Sequence, residues 1–153
     1  MPPCGARAAG GGGAQSRGLA VLRILIGVFL IAEGIGKLGW LLDSGPLMER
    51  LTGWLANAPP MSRWYLHTVA LPGAPLFARM VMLGEISAGV SLGLGFWTRL
   101  AATFAFLMVL NFHIASGAIF RWSFFSNPYG LPIIGGLLAL SIGGARLPWG
   151  MKN

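Results

Sequence analysis

Residues 19–42 read LAVLRILIGVFLIAEGIGKLGWLL, a stretch in which only Arg23, Glu33 and Lys37 are ionisable. A helix crossing a hydrocarbon layer of about 30 Å needs roughly 20 mostly apolar residues, and this stretch supplies them. It stops at Asp43-Ser44-Gly45-Pro46, a helix-terminating cluster. A second window follows Pro75 and runs over 76–96, with Glu85 near its midpoint and Gly84, Ala88, Gly89 and Gly93 as small residues for close helix approach. Trp97-Thr98 leaves room only for a tight turn, with Thr98 as N-cap, so a third helix over 99–116 returns antiparallel, carrying Asn111 and His113. Asn127 as N-cap and Pro128 at the first helical position open a fourth helix over 128–144.

The expected fold class is therefore all-α, an integral membrane four-helix bundle over residues 19–150. The connection between the first two helices exceeds thirty residues, long enough to carry structure of its own. Leu47, Met48, Leu51, Trp54 and Leu55 fall on one helical face there, which predicts an interfacial amphipathic helix ended by Pro59-Pro60. Residues 1–18, rich in Gly and Ala, are expected to form a flexible tail rather than a cleaved signal, because the apolar stretch runs on without an Ala-x-Ala site.

Composition agrees. Of 153 residues 55% are apolar and 10% charged, more apolar surface than a soluble core of this size hides, so the surplus faces lipid. Eleven Lys and Arg outnumber four Asp and Glu, but the cations stand singly at the ends of apolar segments, as beside anionic headgroups. With no basic cluster or readable module, nucleic acid is set aside as a partner. The single cysteine, Cys4, excludes an intrachain disulfide, a CxxC redox pair and a multi-thiolate metal site. No metal-ligand constellation or Ser-His-Asp set is present, and Gly34-Ile35-Gly36-Lys37 lacks the upstream glycine of a phosphate loop. An even number of spans places both termini on one face with Arg7, Arg17, Arg23, Arg99, Arg146 and Lys152, against Lys37, Arg50, Arg63, Arg79 and Arg121 opposite, of which Arg50 and Arg63 belong to the long loop. That small bias orients both termini to the cytoplasm of a cell membrane.

Ionisable groups inside a bilayer cost about 2.5 to 3.5 kcal/mol each, so an intramembrane Glu or His is a functional candidate. At about 1.5 Å per residue, Glu85 lies near the midplane, with Glu33 roughly 4 Å and His113 roughly 8 Å toward the long-loop side. Glu33 and Lys37 share a face at i, i+4, whereas Glu85 has no partner on its own helix. If the faces meet, Glu85, Glu33, His113 and Lys37 form a polar pocket opening on the long-loop side. Glu85 and His113 are the catalytic candidates, and the bland alternative for each is a hydrogen bond that merely joins two helices. Trp40, Trp54, Trp64, Tyr65, Phe120, Trp122, Phe124, Phe125 and Tyr129 crowd the same side, either as an interfacial belt or as the roof of a pocket for a flat ligand.

Four short patterns stand in order along the chain: the run from Leu22-Arg23 to Gly34-Ile35-Gly36-Lys37-Leu38, then Gly84-Glu85 with Gly89, then Gly95-Phe96-Trp97-Thr98-Arg99, and finally Gly143-Gly144-Ala145-Arg146-Leu147-Pro148-Trp149-Gly150. Together they resemble the DoxX family, including its DoxD-like branch associated with thiosulfate:quinone oxidoreductase. They are specific as an ordered set. Met151-Lys152 stands where the family often has Asp. The resemblance implies a four-helix membrane subunit linked to quinone-dependent oxidoreductases and singles out Arg23, Lys37, Glu85 and Arg99 by position. The binding candidates are accordingly Lys37, Glu33, Arg23 and Arg99, with quinone or quinol as the implied ligand and a soluble or membrane redox subunit as the implied partner. Any flavin, haem or metal would be the partner's. A non-catalytic membrane anchor or assembly factor, and small-solute or lipid transport, are the competing functions; a homo-oligomer also stays open.

Overall fold

The computed structural model describes residues 11–151. The chain is all-helical, and no strand occurs among the described residues. Helix α1 spans Gly11–Ile35, α2 Gly45–Leu55, α3 Pro60–Tyr65, α4 Ala74–Leu94, α5 Thr98–Ala115 and α6 Leu131–Gly143. Helices α1, α4 and α5 are long and apolar enough to cross a membrane. α6 is apolar but has 13 residues, about 20 Å of rise.

The boundaries differ from the sequence expectation in instructive ways. α1 starts at Gly11 instead of Leu19, because the helix nucleated by the apolar run extends its hydrogen bonds backwards through the Gly/Ala stretch. Of the expected tail, residues 1–10 lie outside the described residues. α1 ends at Ile35 instead of Leu42: Gly34 and Gly36 weaken it, Lys37 N–H bonds the carbonyl of Gly34 at 3.0 Å, and the chain tightens into a 3₁₀ turn over Leu38–Leu41. Thr98 is not the N-cap of α5. Trp97 holds that position at φ 44°, and Thr98 is buried in the first turn. Asn127 and Pro128 do not open α6 either. The Asn127 Oδ1 accepts from Tyr129 N–H at 2.9 Å and its carbonyl accepts from Gly130 N–H at 2.9 Å, a turn that uses up the capping oxygen before Leu131.

The long connection is almost wholly helical. Pro59 is extended, Pro60 starts α3, and a π turn over Leu66–Ala70 leads to α4. The expected apolar face of α2 turns partly inward: Leu47 and Leu51 are buried against the bundle, Trp54 and Leu55 half-buried, and Met48 exposed. Ser62 Oγ donates to the carbonyl of Ile114 at 2.6 Å, tying α3 to the end of α5.

Contacts run from α1 to α4, α4 to α5, α5 to α6 and α6 back to α1. Two apolar clusters fill the interior. One seats Leu47, Leu51, Leu66 and Trp40 against Ala74, Ala78 and Val81 of α4. The other packs Ile26 and Leu30 of α1 with Ala88, Leu92, Ala102, Ala105, Leu137 and Leu140. Glu85 lies on α4 between Val81 and Ala88, at the boundary of the two clusters. Leu25, Val28, Leu83, Leu100, Leu107 and Ile142 are exposed on outer helix faces, as hydrocarbon contact requires.

Candidate functional site

A close backbone approach between α1 and α4 sets the site. A Cβ on Gly27 would stand 2.7 Å from the Gly93 nitrogen and 2.8 Å from the Gly89 carbonyl oxygen, and one on Gly89 would stand 2.8 Å from the Gly27 oxygen. α1 and α4 thus touch backbone to backbone, as small residues in membrane helices permit. Two turns further along, Gly34 lies against Ile86 and the Cβ of Glu85. This close crossing carries the end of α1 over Glu85.

Lys37 occupies that end. Its ammonium donates to Glu85 Oε1 at 2.9 Å and Oε2 at 2.8 Å, and to Glu33 at Oε2, 2.9 Å, and at the carbonyl, 3.2 Å. The Lys37 and Glu85 side chains are 11% and 10% exposed and that of Glu33 36%, so one pair is buried and the other half open. An ammonium has three hydrogens, and the two carboxylates and one carbonyl engage all of them. A ligand oxygen at Lys37 must compete with a carboxylate. Glu85, expected to stand alone at the midplane, has its partner on another helix.

His113 is buried on α5. Its Nδ1 lies 2.9 Å from the Val109 carbonyl. A carbonyl only accepts, so a hydrogen is assigned to Nδ1, and in the tautomer that carries it there Nε2 is an acceptor. Phe124 packs edge-on against the imidazole, centroid to centroid 5.3 Å.

These groups line one cavity of about 730 Å³, which brings Glu33, Lys37, Glu85 and His113 together with Arg50, Arg121 and Tyr129. Its apolar walls come from Phe29, Leu30, Val109, Phe112 and Ile133. Ligand pockets of about 300–1,000 Å³, apolar with a few convergent polar groups, have this character. Arg121 donates to the Asn57 carbonyl at 2.8 Å, and the Arg50 guanidinium lies 5.5 Å from the Trp40 ring centre.

A DoxX family model matches residues 18–115, from α1 to the end of α5. The chain belongs to the DoxX family. No curated protein and no solved structure matches it. Glu33, Lys37, Glu85 and His113 fall inside the matched span, while Arg121 and Tyr129 of the same cavity and the closing Gly-rich segment lie beyond it.

The expected pocket of Glu85, Glu33, His113 and Lys37 is thus assembled, but Arg23 and Arg99 do not join it. Arg23 precedes Lys37 by fourteen residues, about 21 Å along the helix, and Arg99 stands in the first turn of α5 at the far end. Arg99 Nε donates to the Ser141 carbonyl at 3.0 Å, joining α5 to α6. Arg50 and Arg121 are cavity residues that the sequence did not single out. Arg50's place off the apolar face of α2 was the available signal; Arg121 sits between two short 3₁₀ turns with none. Of the aromatics, Trp54 and Tyr129 line the cavity, Trp40 and Phe124 are buried, and Trp64 and Trp122 are exposed.

Proposed function

We propose that this DoxX protein crosses the membrane four times, with α6 as a short fourth span, α2 lying in the interface and both termini cytoplasmic, and that the polar cavity binds a quinone or quinol. The observation that carries the reading is Lys37 held between carboxylates of two helices in the wall of a cavity that His113 also lines. A quinone ring is flat and apolar with an oxygen at each end. Phe29, Phe112 and Ile133 offer it apolar walls, and Lys37 and the Nε2 of His113 offer a donor and an acceptor.

Oxidation of a quinol releases two electrons and two protons. Glu85 and His113 are the proton acceptors in this reading, and a redox group on a partner protein takes the electrons. The half-open Glu33 is the carboxylate that yields its place at Lys37 to a ligand oxygen; Glu85 stays, since leaving it buried and unpaired costs more. Lys37 then orients the ligand and holds Glu85 within reach.

The test is quinone per protein, measured by redox difference spectrum after solvent extraction of detergent-purified protein, for wild type and Glu85→Gln. Gel filtration checks that both are folded. Near-stoichiometric quinone that falls about tenfold in the variant is expected, the loss of one charge-assisted contact. Absence of quinone from both overturns the reading in favour of a non-catalytic anchor for a redox enzyme.

A further inference from the structure

The opposite end of the molecule holds a second cavity of about 820 Å³, between the α4–α5 turn and the C-terminal segment, lined among others by Trp97, Arg99, Arg146 and Trp149. Behind it lies Arg23, 0% exposed. Its guanidinium is wedged against the cavity lining: a Cβ on Gly95 would overlap Nη1, and one on Gly150 would stand 2.7 Å from it. Nη2 donates to the Trp149 carbonyl at 3.0 Å, while the buried Nε has no partner.

No carboxylate among the described residues reaches this cation. Both ion pairs there belong to Lys37, and all four acidic residues of the chain fall within positions 33–85. The nearest along α4, Glu85, precedes Gly95 by ten residues, about 15 Å. Arg99 and Arg146 are exposed at the same end, and the Nε bond of Arg99 leaves both its Nη groups available. Arg99 and Arg146 thus line the cavity with Arg23 behind them, and no side-chain carboxylate among the described residues pairs with any of the three. Trp97, Arg146 and Trp149 are held at φ 44°, 54° and 58°, a costly backbone region for non-glycine residues, and all three line this cavity. Exposed Leu100 and Met151 give it an apolar rim.

We propose that this cavity binds the phosphate of an anionic lipid headgroup, with Arg99 and Arg146 as direct partners and Arg23 as the buried charge behind them. Guanidinium groups pair with phosphate oxygens in charge-assisted, often bidentate hydrogen bonds. Trp97 and Trp149 suit the headgroup level, where an amphipathic ring meets both water and acyl chain. Free phosphate shares the chemistry but makes no use of the apolar rim.

The experiment offers the full chain, delipidated in neutral detergent, an equimolar mixture of phosphatidylglycerol and phosphatidylcholine, and counts retained lipid by mass after gel filtration. Phosphatidylglycerol at about one per chain and about tenfold above phosphatidylcholine is expected, falling about tenfold in the R99Q/R146Q double variant but not in R17Q, whose exposed cation lies outside the cavity. Millimolar inorganic phosphate in a parallel arm identifies the source: retention unchanged assigns the site to lipid, and complete displacement assigns the same guanidinium site to free phosphate. Should the double variant fail to fold, R146Q alone carries the test. Equal retention of the two lipids, or retention unaffected by the arginine substitutions, overturns the proposal.

Discussion

Lys37 and Arg23 are buried cations contributed by one end of the chain's fold and the other, and the protein treats them in opposite ways. Lys37 has its charge balanced twice from within, by Glu85 across the α1–α4 crossing and by Glu33 on its own segment. Arg23 has one carbonyl and no carboxylate among the described residues. A cation neutralised internally is fixed and can organise a site. One left without a counter-ion depends on what the surroundings supply. The largest effect that can break this comparison is Lys37→Met. It leaves Glu85 buried without a cation, and removing one partner of a buried pair costs about 3–5 kcal/mol. Unfolding in mixed micelles measures it, and a loss under about 1 kcal/mol would mean that the pair does not hold α1 to α4.

The pairing depends on how closely the helices approach, so Gly27→Ala is the next largest change. The added Cβ meets the backbone of α4 at 2.7 Å, and overpacking of this kind costs about 1–3 kcal/mol. Gly135→Ala on α6 is the matched control, because a Cβ there meets nothing within 4 Å. It should be neutral or mildly stabilising, as alanine favours helix over glycine. Equal melting temperatures for the two variants would contradict the backbone contact between α1 and α4. Quinone retention should fall in Gly27→Ala alone, since only that substitution draws Lys37 away from Glu85.

Much of this was legible because hydrocarbon imposes a one-dimensional constraint: length and apolarity located α4 and α5 to within two residues, and α1 with both ends seven or eight residues too late. The depth of Glu33, Glu85 and His113 could be counted along each helix, which put them within roughly 8 Å of the midplane and left a shared cavity conditional on their faces meeting. What depth cannot supply is rotation. The partner of Glu85 is 48 positions away in sequence and reaches it only through the glycine crossing and the 3₁₀ tightening after Ile35. Local signals misled where two structures share them. Asn127-Pro128 has the chemistry of a helix start and of a turn, and the turn won because Gly130 N–H takes the Asn127 carbonyl. Arg23 and Arg99 were grouped with Lys37 by resemblance, and helix rise alone separates them.

Arg23→Met should cost about 1 kcal/mol or less in neutral detergent. It loses the bond to the Trp149 carbonyl, a charged contact of about 1.5–3 kcal/mol, but also removes the desolvation of a buried cation that no carboxylate offsets. The contrast with Lys37→Met is the measurement, made on both variants under the same denaturing conditions. A loss as large as that of Lys37→Met would show that Arg23 is balanced by a group inside the protein.

The smallest change in stability is the most discriminating for the site. Glu33→Gln alters a carboxylate that is 36% exposed and paired at i, i+4, an interaction of at most about 1 kcal/mol in partly solvated surroundings. Glutamine still offers Lys37 an oxygen, so melting should barely move. Ligand binding should move, and in the favourable direction. Lys37 has its three hydrogens engaged, and in the proposed function a quinone oxygen reaches it by displacing Glu33; a weaker competitor is displaced at lower cost. If the charged pair holds Lys37 more tightly than the amide by about 1 kcal/mol, quinone affinity rises about fivefold in Glu33→Gln while it falls in Glu85→Gln. Titration of the delipidated variants with a short-chain quinone, followed by tryptophan fluorescence, reads both signs. Opposite signs would separate the carboxylate that yields from the one that stays, and a fall in both would place Glu33 against the ligand instead of in its way.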